Sequence, residues 1–110
     1  MPTTKLPPDF DFLPEMYADS YFPPAQVDKV KAAIQQVVAF LEQGHTNSEA
    51  VQQELDDMTL TINELQNDFV DAGSEIESMA RDAIADTVER VLAHFGVDID
   101  IEEALQEREW

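Results

Sequence analysis

The chain contains no cysteine, and only 6 of its 110 residues are lysine or arginine against 24 aspartates and glutamates. The first absence excludes disulfides, thiolate zinc sites and thiol nucleophiles. The second leaves a net charge of −18, a field that repels nucleic acid and anionic membranes and draws in cationic partners. With only three glycines, Gly44, Gly73 and Gly96, there is no glycine-rich phosphate loop. No apolar run reaches the length of a membrane span, and Met1-Pro2-Thr3-Thr4-Lys5 lacks the apolar stretch of a secretory leader. A soluble, cytoplasmic protein is the expectation.

Hydrophobic residues make up 44% of the chain, too many for the disordered class at this charge. The length suits one domain spanning residues 1–110 with a single core. The cation deficit is concentrated. Between Ala32 and Ala80 there is no Lys or Arg, while Glu42, Glu49, Glu54, Asp56, Asp57, Glu64, Asp68, Asp71, Glu75 and Glu77 recur. Adaptation to high salt gives the same composition whatever the function, so acidity alone does not establish a functional face.

Apolar spacing predicts an all-α fold with three long helices over 24–43, 47–72 and 74–95, and a short one over 100–107. Val27, Val30, Ile34, Val37, Val38 and Leu41 share one face of the first, which stops at Gly44. In the second, Val51, Leu55, Met58, Ile62, Leu65 and Phe69 alternate by four and three, the spacing of a helix–helix seam, with Thr46 and Glu49 at capping-box spacing. Ser74 and Glu77 have the same spacing ahead of Ile76, Ala80, Ala83, Ile84, Val88, Val91 and Phe95. Asp100 and Glu103 mark the start of the last. Short links favour an antiparallel up-down bundle.

The first 23 residues form a strap of another kind. Asp9 to Pro24 holds five of the nine aromatics, together with Pro14, Pro23 and Pro24. The prolines forbid a long helix, while the rings offer area to bury at little entropic cost. An extended strap, with room for one helical turn, is expected to close the groove of the helices, with Tyr17, Tyr21 and Phe22 as an apolar edge for a partner. Trp110 is expected to pack back onto the bundle.

Phe12-Leu13-Pro14-Glu15-Met16-Tyr17-Ala18-Asp19-Ser20-Tyr21-Phe22-Pro23-Pro24, followed by Val27-Asp28-Lys29, resembles the opening of a family of small bacterial proteins of unknown function. Asp71-Ala72-Gly73-Ser74-Glu75-Ile76-Glu77 with Ala80-Arg81, Ile84-Ala85, Phe95-Gly96-Val97-Asp98 and the ending Arg108-Glu109-Trp110 are similar to the same family. The likeness spans nearly the whole chain and weakens through the middle helix. It implies a bacterial single-domain protein and brings no activity, cofactor or catalytic residue.

Chemistry-bearing constellations are few. At 100° per residue, Glu54, Asp57, Glu64, Asp68 and Asp71 fall within about a third of the circumference of the second long helix. Such a stripe is either a solvated flank or a docking face for a basic protein surface, and in its sharpest form a mimic of a nucleic-acid backbone. Di-iron bundles need Glu-x-x-His pairs, but His94 follows Glu89 by five residues. Asp98, Asp100 and Glu102 echo a calcium loop, yet Glu103 stands where the turn requires glycine, and capping explains Asp100. Ser48 and Ser74 sit at expected helix starts, and no catalytic set is discernible.

The expectation is therefore a non-enzymatic protein-interaction module without cofactor or metal. Glu54, Asp57, Glu64, Asp68 and Asp71 would meet a basic or mixed protein surface. Direct nucleic-acid or membrane binding is not expected, and a homodimer remains open. A ligand or enzymatic pocket beneath the strap is the rival from another class.

Overall fold

The computed structural model describes Leu6, residues 10–44 and residues 47–110. Among these residues the regular structure is all helical: α1 (Pro14–Ala18), α2 (Pro24–Glu42), α3 (Ser48–Asp71), α4 (Ser78–His94) and α5 (Ile101–Ala104). Pro24 opens α2 because its ring pre-sets helical φ and a first-turn N–H has no helical acceptor to lose. Asn47 opens α3, its side-chain oxygen accepting from the N–H groups of Glu49 at 2.9 Å and Ala50 at 3.1 Å. Thr46, expected in that role, lies outside the described residues.

The start of α4 differs from expectation. Its first residue is Ser78, four positions beyond the expected opening at Ser74. The reason lies in how α3 ends. Gly73 takes the left-handed conformation at φ +82, the Ser74 N–H reaches back to the Phe69 carbonyl at 2.7 Å, and Gly73 N–H bonds the Val70 carbonyl at 3.0 Å. These two bonds make Ser74 the closing residue of α3, buried at 3% exposure, rather than a cap for α4. The same closure recurs at Gly96, where Val97 N–H bonds the Leu92 carbonyl at 2.9 Å.

α2 and α3 pack along each other through the expected apolar positions, all of them buried. Ala80, Ala83, Ile84, Val88, Val91 and Leu92 bring α4 into the same core. The described part of the strap runs back along α2. Leu6 N–H meets the Glu42 carboxylate at 3.1 Å, Lys31 stands over the Phe12 ring, and the Tyr17 hydroxyl donates to Asp28. α1 lies against both α4 and α2. Leu13 and Met16 are fully buried and Phe22 nearly so, with the Phe22 ring edge-on to Phe69 of α3.

Leu13 is the one described non-glycine residue at positive φ, 53°. Such a conformation costs a leucine on the order of 1–3 kcal/mol. Its N–H donates to the Thr87 hydroxyl at 3.2 Å, and Arg90 donates to the Asp11 carbonyl at 3.1 Å, so α4 grips the backbone on both sides of Phe12. Thr87 is wholly buried. Thr87→Val, which keeps the shape and removes the acceptor, is expected to cost about 1–3 kcal/mol in chemical denaturation, the desolvation cost of an orphaned N–H. A change within experimental error would show that the strap does not depend on this bond.

Candidate docking face

Each described cation engages a partner at the surface. Lys29 pairs with Asp68 at 3.0 Å and joins the second turn of α2 to the last turn of α3. Arg90 pairs with Asp86 at 3.0 Å while its guanidinium stands over Phe10. Arg108 reaches Glu102 at 3.5 Å and covers the Trp110 ring. Arg81 bonds Ser78 within its own helix. These exposed pairs are each worth about 0–1 kcal/mol; their consequence for the surface is that few positive charges remain to offset the acids.

On α3, the five acids Glu54, Asp57, Glu64, Asp68 and Asp71 lie beside the seam over roughly 25 Å of helix. Asp57, Glu64 and Asp71 are exposed, while Glu54 and Asp68 are half-buried. Asp68 alone of the five takes part in an ion pair among the described residues, and Asp57 accepts from Gln53 at 3.2 Å. Leu60 stands 47% exposed on the same outer side.

The opposite flank of α3 is occupied by the C-terminal segment, an arrangement that spacing does not announce. Gln52 donates to the Glu103 carbonyl at 2.9 Å, and Gln106 donates to Asp56 at 3.2 Å. The Asn63 carboxamide donates to the Glu107 carbonyl at 2.8 Å and accepts the Glu109 N–H at 2.9 Å. Trp110 then packs back at 7% exposure, as the sequence suggested. Asp100 caps α5 by accepting the Glu102 N–H at 3.1 Å. Where this segment meets the start of α3, a groove of about 380 Å³ carries Glu49, Asp56, Asp98 and Glu103. Among the described residues no three His, Asp or Glu side chains gather in a way that would hold a metal ion.

The aromatic edge needs correction. Tyr17 and Tyr21 are exposed at 38% and 44%, but Phe22 is 1% exposed and belongs to the core. Pro23 and Pro24 turn the chain into α2 just there, which swings the Phe22 ring inward onto Phe69. Leu13, Met16 and Phe22 thus fill the space beneath the strap.

A helical protein of net charge −18, in which Glu54, Glu64 and Asp71 of α3 meet no cation among the described residues, is what fold and surface define. The chain belongs to a family of unknown function (DUF5713), whose model matches residues 7–110. No curated protein and no solved structure matches it.

Burial first, then the hydrogen bond and negative charge of Asp28, push the Tyr17 hydroxyl up to about 12. A raised folded value means that the neutral phenol is favoured by folding. The contribution is complete below the ordinary tyrosine value of about 10 and is lost as pH rises through about 12. Phenolate absorbance should show Tyr17 ionising late, and Asp28→Asn should bring it down while burial still holds it above the ordinary range. An unchanged titration in that variant would contradict the Tyr17–Asp28 contact.

Proposed function

We propose that the protein is a non-enzymatic, cytoplasmic interaction module that docks the outer face of α3 on a basic or mixed surface of another protein. One observation carries the reading: Glu54, Glu64 and Asp71 meet no cation or hydrogen-bond donor among the described residues, while the described cations engage other groups. A row of unneutralised carboxylates on a rigid helix attracts a basic surface at long range and accelerates association. Tyr17 and Tyr21 add exposed aromatic area on the strap, the residue type that anchors interfaces well.

The bundle belongs to the same reading, with α2, α3 and α4 running alternately up and down. The Lys29–Asp68 pair, early in α2 and late in α3, supports that arrangement, as does the short link between the two helices. A pocket beneath the strap has less in its favour, because Leu13, Met16 and Phe22 fill that space.

Asp57→Asn, Glu64→Gln and Asp71→Asn together test the face without touching the Lys29–Asp68 pair. Immobilised wild-type protein should retain a partner from bacterial lysate at low salt, and the triple variant about a tenth of it or less. Release at moderate salt is expected, since exposed charges are screened within about 10 Å at 0.1 M. Equal retention by both forms would remove the acidic face from the account.

A further inference from the structure

Leu60 points away from the seam, 47% exposed, and lines an open hollow of about 460 Å³. Asn63, Glu64 and Asn67 of α3 and Glu109 of the C-terminal segment complete its walls. The two Asn63 bonds described above hold Glu107 and Glu109, and so fix a second element against α3 at this point. The side chains of Glu64, Asn67 and Glu109 have no hydrogen bond or ion pair among the described residues. An exposed leucine beside unpartnered acceptors from two different elements has a defined chemical complement. That complement is a long hydrocarbon stem ending in a positive charge.

We propose that this hollow receives a lysine or arginine side chain from the partner protein. The methylene stem lies on Leu60, and the charged head stands among Glu64, Glu109 and the Asn67 carboxamide oxygen. Long cationic side chains bury their stems on apolar surface while the head stays solvated or paired, which is what a half-exposed leucine ringed by carboxylates offers. The stem also gives the exposed leucine a partner that purely electrostatic docking does not. This inference rests on the acidic-face reading and specifies the group that the face recognises.

The probe is a fluorescently labelled amphipathic helical peptide with lysines one turn apart, compared with its lysine-acetylated form by anisotropy at low salt. Wild-type protein is expected to bind the lysine peptide and lose the acetylated one. Leu60→Ala and, separately, Glu64→Gln with Glu109→Gln should each weaken binding about tenfold, the size of one well-placed anchor. Glu75→Gln with Asp82→Asn, which removes two exposed acids elsewhere, should leave it within about twofold. Circular dichroism of each variant confirms that the helices persist.

Tight binding that ignores Leu60, Glu64 and Glu109 would overturn the hollow while leaving the acidic face standing. No binding of the lysine peptide by wild-type protein would overturn both. A chain that dimerises in solution and becomes monomeric on Leu60→Ala would assign the hollow to a second copy and overturn the proposal.

Discussion

Leu13, Met16 and Phe22 enter the core from a segment that precedes the long helices, and the remaining elements are arranged around that burial. α1 lies against α4 and α2, and the Phe22 ring reaches Phe69 of α3, so one short strap touches the three long helices. Burying a large apolar side chain contributes about 1.5–3 kcal/mol, whereas an exposed ion pair contributes about 0–1 kcal/mol. With a net charge of −18 pushing the surface apart, apolar burial rather than salt bridging holds the chain together. Thr87 and Arg90 position the strap for that burial, and the strained Leu13 backbone is sustained by the same contacts.

Much of this was legible in the sequence. The four-three alternation from Val51 to Phe69 announces α3 and its buried face, because that spacing brings all six apolar side chains to one side of a helix. The glycine stops were legible for a similar reason, since a left-handed residue after a helix is nearly always glycine. The start of α4 was not. Ser-x-x-Glu spacing at Ser74 fits a capping box, in which the glutamate accepts the serine N–H, but here the Phe69 carbonyl takes that N–H and the serine closes α3 instead. Phe22 was misplaced because a ring beside two prolines looks like loop edge, and only the direction of the turn into α2 shows that it faces inward.

The surface was legible in part. Helical geometry put the five acids on one side of α3. The pairing of Asp68 with Lys29 requires knowing that the start of α2 passes the end of α3, which no local pattern states. The attachment of the C-terminal segment by Gln52 and Asn63 was equally silent, since these bonds go to backbone carbonyls and N–H groups and leave no trace in residue type. That attachment gives the Leu60 hollow its second wall and turns one flank of α3 from free surface into contact.

Among the described residues, most carboxylates on the outside of the molecule have no cation beside them. Thermal unfolding followed by circular dichroism as sodium chloride rises from about 0.01 to 0.1 M tests it directly, because the screening length then falls from about 30 Å to about 10 Å. The midpoint is expected to climb steadily over that range as self-repulsion is screened. A midpoint that stays flat or falls would mean that attractive pairs govern the surface, and the claim would be wrong.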